Sequence, residues 1–180
     1  MKDGVEDPRV KLLRARVRDI PDFPKPGILF RDLTPLMGDG AAMRHAIDLL
    51  AERVAHHRPE LVVAVESRGF IFGAPVAASL EIGFVPPPPP PPPPFTTRRR
   101  SYDLEYGTDA LEMHDDAIVH GARVVIVDDL LATGGTAGAT ASLVHELGGQ
   151  VVAAAFVVEL GLLRGRERLP GVTVDSLLSY

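Results

Sequence analysis

The chain has 180 residues, 46% hydrophobic and 24% charged, which suits one globular domain with a substantial core. A net charge of −5 excludes the basic excess of a dedicated nucleic-acid binder, though not phosphate ligands, which backbone amides and a few cations can hold. The absence of cysteine excludes disulfides, zinc–thiolate sites and thiol catalysis together.

Near the N-terminus, Val10, Leu13, Val17 and Ile20 recur at helical spacing and predict an amphipathic helix over 10–20, with Arg14, Arg16 and Arg18 on its solvated face. "IPDFPKPGILFRDLTP" then gathers Pro21, Pro24, Pro26 and Gly27, which no helix tolerates. A second helix is expected over 41–56, burying Ala46, Leu50 and Val54. "LVVAV" at 61–65 reads as a strand buried on both faces and ends in the polar "ESRG". "RVVIVDDLLATGGT" repeats the scheme, with a strand at 124–127, an acidic pair, a glycine turn and a helix over 136–147. "QVVAAAFVVEL" and "VTVDSLL" supply two further strands.

Buried strands alternating with helices predict a single-domain α/β fold with a mostly parallel central sheet flanked by helices. Ligands of such sheets sit at the carboxyl ends of the strands, where both "ESRG" and "DDLLATGGT" fall. No fixed-period repeat is present. No segment approaches the ~18 apolar residues of a membrane span, and "MKDGVEDPRV" lacks the apolar core of a signal peptide. A cytoplasmic protein without membrane or nucleic-acid partners is therefore expected.

The chemistry concentrates in "VVIVDDLLATGGT". Asp128 and Asp129 place two carboxylates at the sheet edge, able to accept hydrogen bonds from vicinal hydroxyls. Thr133, Gly134, Gly135 and Thr136 then turn into a helix whose first amides favour an anion. A diol and a phosphate held this close together describe a ribose 5-phosphate. The competing reading is a plain strand–turn–helix with Thr136 as its cap and two incidental acids. Adjacent carboxylates directly after a buried strand weigh against it, because their desolvation calls for a bound partner. The Walker pattern G-x-x-x-x-G-K-[ST] is absent.

This stretch resembles the ribose-phosphate signature of the type I phosphoribosyltransferases. "DFPKPGILFRDLTP", "ESRGFIFG" and "SYDLEYG" are similar to the adenine-specific members of that family, and all four motifs keep the family order between about residues 20 and 159. The resemblance implies transfer of a 5-phosphoribosyl group from 5-phosphoribosyl 1-diphosphate (PRPP) to adenine, giving AMP and pyrophosphate, by a homodimer. Alternatives are transfer to hypoxanthine, guanine or xanthine, or a non-catalytic PRPP-sensing regulator.

By the same resemblance, Asp128 and Asp129 bind the ribose hydroxyls, and Ala132, Thr133, Gly134, Gly135 and Thr136 cradle the 5′-phosphate. Ser67 and Arg68 meet the pyrophosphate. Leu29, Phe30, Arg31, Tyr106 and Leu130 form the adenine pocket, with residues 1–35 as an N-terminal hood. Glu105 is the acid/base on a flexible loop over about 84–106. Mg2+ is implied as carried by PRPP, without a dedicated protein ligand, any contact passing through Asp128 or Asp129. Taken alone, Arg68 could instead pair with Glu66, and "DLEYG" is only an acidic turn. The six histidines match no metal spacing such as H-E-x-x-H and are expected at the surface or in packing.

One stretch departs from the family. Residues 86–94 are nine consecutive prolines where related enzymes carry lysine and arginine, in a pattern like V-R-K-x-G-K-L-P. Polyproline II of this length would extend ~28 Å and offers neither charge nor N–H donors. Arg98, Arg99 and Arg100 follow and would return positive charge from the far end. Three readings stand: a ligand for an SH3-, EVH1- or profilin-like partner, a stiff spacer, or a run that does not represent the encoded residues. The mass of the peptide spanning 82–100 separates the last from the others.

Overall fold

The computed structural model describes residues 6–86, 96–104 and 107–180, with residues 101–104 and 107–110 through their backbone alone. Helix α1 (Pro8–Ala15) begins where the Asp7 carboxylate accepts a hydrogen bond from the Arg9 amide at 2.8 Å, with Pro8 in the first turn. It buries Val10 and Leu13 but stops at Ala15, short of the predicted residue 20. Residues Arg18–Pro21 instead form strand β1, antiparallel to β2 (Leu29–Asp32), with Ile20 opposite Phe30. The pairing of 18–21 with 29–32 draws this stretch out of the helical pattern, a tertiary preference that overrides the local spacing.

A short helix α2 (Thr34–Gly38) leads into α3 (Gly40–Ala55). Asp39 caps α3 by accepting from the amides of Ala41 and Ala42 at 3.0 and 3.1 Å. The expected inner residues Ala46, Leu50 and Val54 are buried, together with Ala42, Leu49 and Ala51.

Strand β3 (Leu61–Ala64) is followed by α4 (Arg68–Leu80) and β4 (Gly83–Val85). Helix α4 was not apparent in the sequence, because Gly69, Gly73 and Pro75 interrupt its pattern. Gly73 has a packing reason: a Cβ there would stand 2.5 Å from the Ala64 Cβ, so the missing side chain lets α4 lie directly on β3. Next come an antiparallel hairpin of β5 (Thr97–Leu104) and β6 (Gly107–His114), then β7 (Arg123–Leu131) and α5 (Gly135–Glu146). Strand β8 (Gln150–Glu159), two 3-10 turns (Gly161–Leu163 and Gly165–Arg168) and β9 (Thr173–Ser179) complete the chain.

The central sheet is parallel throughout, in the order β4-β3-β7-β8-β9. It is covered on both faces, which is why its strands read as continuous apolar runs. On one face Val62, Val125, Val127 and Ala155 pack with α1, α3 and α4. On the other, Val63, Val65 and Val124 meet Leu143 and Val144 of α5 and Leu111 and Met113 of the hairpin. Alternate residues of β7 thus belong to different cores, as a period of two requires. Among the described residues, no helix is long and apolar enough to cross a membrane.

The expected flexible loop over 84–106 falls partly on regular structure: it opens on β4 and closes on β5. Pro86 is exposed, and the remaining prolines lie outside the described residues, as do Glu105 and Tyr106.

Candidate active site

A cavity of about 440 Å³ opens at the carboxyl ends of β3 and β7, lined by residues 65–68 and 128–137. Every residue singled out in "ESRG" and "DDLLATGGT" that was expected to hold PRPP borders it: Ser67, Arg68, Asp128, Asp129, Ala132, Thr133, Gly134, Gly135 and Thr136. Leu130, expected at the base, lines it too.

Arg68 opens α4 just after the Glu66–Ser67 peptide, which is cis. Its partner is Asp129, not Glu66: Nε stands 2.9 Å from Asp129 Oδ2. The approach is close but off the N–H axis, so this buried Oδ2 accepts no aligned hydrogen bond among the described residues. Asp129 is 5% exposed, which makes an unsatisfied carboxylate oxygen costly unless a ligand donates to it.

Asp128 Oδ1 accepts the Asp129 amide at 2.8 Å. Burial pushes the Asp128 carboxyl well above the usual carboxylate range, and the neighbouring Asp129 charge adds to the rise. The two side chains differ in their surroundings: Asp128 holds the Asp129 amide, while Asp129 faces Arg68. Side by side, the two carboxyl groups present oxygens that the hydroxyls of a vicinal diol can engage.

Past Leu131 the chain turns through residues 132–136 into α5. Gly134 is the cap residue at φ +79°, and no side chain caps the helix. Thr136 lies inside α5 and does not supply the cap that the competing plain strand–turn–helix reading required; the left-handed turn that starts the helix falls on a glycine. The first amides of α5 have no intrahelical acceptor, and their residues border the cavity, the arrangement that binds a phosphate dianion.

The turn has a support the sequence did not reveal. A Cβ on Gly134 would lie 2.3 Å from the Gly165 carbonyl oxygen, and one on Gly165 would lie 2.4 Å from the Ala132 carbonyl oxygen. The 3-10 turn at Gly165–Arg168 is therefore seated against the glycine loop, backbone to backbone. A Gly-Arg dipeptide in a polar connection carries no local signal of this.

The residues expected under the hood are not brought into the cavity. Leu29 is 44% exposed, and Phe30 packs edge-on against Phe23 at 5.2 Å between ring centres. Arg31 pairs with Asp19 and lies 3.9 Å over the Tyr180 ring.

Nor do Arg98, Arg99 and Arg100 supply charge to the site. Arg98 bonds Asp115 and the main-chain oxygen of Glu146, both at 3.1 Å. Arg99 lies 3.8 Å from Glu112, and Arg100 pairs with the Glu146 carboxylate. Alternation along β5 sends Arg98 and Arg100 together to the end of α5.

Among the described residues, no group of three or more histidine, aspartate or glutamate side chains could hold a metal ion. His57, at the amino end of the sheet, lies against His56 with the rings tilted by 41° and their centres 3.9 Å apart. Burial, followed by the neighbouring His56, pulls its pKa below the usual range.

Residues 37–176 match the model of the phosphoribosyl transferase domain family. The chain is 52% identical over 170 residues to the adenine phosphoribosyltransferase of Nostoc punctiforme, covering 93% of this chain and 99% of that one. Among solved structures, adenine phosphoribosyltransferase from Thermoanaerobacter pseudethanolicus superposes with a TM-score of 0.89 at 48% identity, covering 95% of this chain and 99% of the other. The Saccharomyces cerevisiae enzyme, complexed with an imino-altritol bisphosphate and adenine, gives 0.86 at 36% identity, covering 94% and 98%. With the cavity at the strand ends, these likenesses place the chain in the type I phosphoribosyltransferase family, among the adenine phosphoribosyltransferases.

Proposed function

We propose that the chain salvages adenine, transferring the 5-phosphoribosyl group of PRPP to N9 of the base to yield AMP and pyrophosphate. The observation that carries this is the cavity in which the buried Asp129 carboxyl, facing Arg68 without an aligned hydrogen bond, lies beside the glycine-capped start of α5. A ribose 5-phosphate satisfies both at once, its hydroxyls on Asp128 and Asp129 and its phosphate on the amides and hydroxyls of 132–136. Adenine as the base follows from the relatives, which carry that activity in their names at about half identity. No observation favours guanine, hypoxanthine or xanthine transfer, or a non-catalytic regulator.

In this reading the C1–oxygen bond to pyrophosphate breaks, its electrons leaving with the pyrophosphate, as N9 bonds to C1. The carbon passes through an oxocarbenium-like state, and charge collects on the leaving group. Arg68, 44% exposed at its side chain and only loosely aligned with Asp129, can turn toward that charge. Asp129 is then free to take up the ribose hydroxyls. The N9 proton, acidified by the new bond, passes to Glu105, a role that rests on its place in "SYDLEYG". Leu29, Phe30, Arg31 and Tyr106 remain the residues proposed to receive the base with Leu130.

The donor set fits a magnesium ion brought in on PRPP oxygens, since two adjacent carboxyls at the cavity offer contacts but no complete cage. Bound there, Mg2+ would neutralise the diphosphate. A homodimer in the cytoplasm completes the proposal, on the family resemblance.

The test is formation of AMP and pyrophosphate from adenine, PRPP and magnesium, with guanine and hypoxanthine in parallel. Robust guanine turnover without adenine turnover would overturn the assignment of the base. A companion variant with V-R-K-x-G-K-L-P in place of residues 86–94 reads what the prolines cost; it should turn over faster if cations there assist pyrophosphate.

A further inference from the structure

We propose that Glu159 and Arg166, which lie outside the cavity, are positioning residues for the 5′-phosphate loop. The proposal rests on the function assigned above and names the device that holds its phosphate site in shape.

Glu159 ends β8, where its backbone pairs with Leu131, the last residue of β7 before the loop. It is one of few buried charged residues, 6% exposed. Its carboxylate receives the Arg166 guanidinium fork-to-fork, Nε to Oε1 and Nη2 to Oε2, each at 2.6 Å. The remaining capacity is also used: Ser176 Oγ donates to Oε2 at 2.8 Å, and Arg166 Nη1 donates to the Val174 carbonyl at 2.7 Å. Three segments, the end of β8, the turn at Gly165–Arg168 and β9, are thus tied at one point. A bidentate pair fixes orientation as well as distance, unlike the point-charge contact a lysine would make.

The consequence passes through the neighbouring residue. Arg166 directly follows Gly165, whose carbonyl lies where a Gly134 side chain would be and whose own missing side chain leaves room for the Ala132 carbonyl. The same turn lies along the first turn of α5, where a Cβ on Gly138 would come within 3.1 Å of the Arg168 carbonyl oxygen. The glycine loop has no side-chain cap to fix it from within. Its amides are held from outside, by a backbone shelf whose position is set by Glu159 and Arg166. Phosphate binding by main-chain N–H groups depends on several donors converging, so a shelf displaced by even part of an ångström weakens all of them together.

The experiment compares Arg166→Lys, Glu159→Gln and the milder Ser176→Ala with the parent enzyme. Each is assayed for KM toward PRPP and toward adenine, and for the binding of ribose 5-phosphate alone by calorimetry. Arg166→Lys keeps the charge and loses the fork; it should raise KM for PRPP about tenfold and weaken ribose 5-phosphate similarly, with KM for adenine within about twofold. Ser176→Ala should move the same quantities in the same direction by about threefold, and it keeps the test decisive where Glu159→Gln does not fold. A fold-only role would lower the melting temperature while leaving both ribose 5-phosphate affinity and the KM ratio unchanged, and that result overturns the proposal. Equal shifts for both substrates also overturn it. Failure of the parent chain to form AMP would instead overturn the function, while ribose 5-phosphate binding would still report on the shelf.

Discussion

Gly134→Ala puts one methyl group into the tightest backbone contact at the site. The new Cβ would stand 2.3 Å from the Gly165 oxygen, about 1.1 Å inside the 3.4 Å of ordinary contact, and that neighbour is backbone that cannot swing aside. The residue also sits at φ +79°, where an alanine costs about 1–2 kcal/mol that glycine does not. Overpacking adds about 1–3 kcal/mol, so the total is about 2–5 kcal/mol. At ~2–4 °C per kcal/mol for a chain of this size, the melting temperature should fall by roughly 4–20 °C. The loop must also give by about an ångström, a misplacement that can cost on the order of a hundredfold in kcat/KM for PRPP. Gly38→Ala, where no atom lies within 4 Å of the added methyl and φ is ordinary, is the matched control and should leave both quantities nearly unchanged. The assay is steady-state AMP formation at varied PRPP, beside thermal unfolding. If the melting temperature falls while kcat/KM for PRPP holds, the turn at Gly134 supports the fold and not the phosphate, and the reasoning fails.

Asp129→Asn keeps the shape but removes the charge facing Arg68, and should lower kcat/KM for PRPP by about a hundredfold with adenine binding intact; unaltered PRPP kinetics would remove the ribose role. Glu105→Gln should reduce kcat by about 10²-fold or more while the adenine dissociation constant changes little, and a pure affinity effect would count against proton transfer. His57 is held below its ordinary value near 6.5 by burial, so the unfolded chain takes up its proton first as pH falls. Its contribution is present above that ordinary value and is lost as pH drops through the lower folded value. His57→Gln should flatten the loss of stability between pH 7 and 5 in denaturant titrations, and an unchanged slope would assign the pH dependence elsewhere.

Much of the frame was readable because burial on both faces leaves an unbroken apolar run, as in "LVVAV" and "VVIV". Helix α3 was equally plain, with its small and aliphatic residues at helical spacing above the Asp39 cap. The β1 segment misled because Val17 and Ile20 continue the helical spacing, and only the pairing of 18–21 with 29–32 reverses the inference. The hairpin at 97–114 was missed because "TTRRRSYDL" has no apolar alternation; its charges are matched across space, to Glu146 and Glu112. At the site, the acids and glycines announced themselves as types. The partner of Arg68 did not, since nothing local says that the start of α4 faces the end of β7. Gly165 was hidden for the same reason, being a contact between segments far apart in the chain.

Helix α5 is a ruler between two tasks. Its 12 residues span about 18 Å, with the glycine loop at one end and Glu146, gripped by Arg98 and Arg100, at the other. The stem of the hairpin is thereby registered to the same rod that begins at the sugar-phosphate loop. A single residue inserted within α5 would rotate Glu146 by about 100° out of the grip of both arginines. The exposed far end of this helix is thus less tolerant of length change than its distance from the cavity suggests.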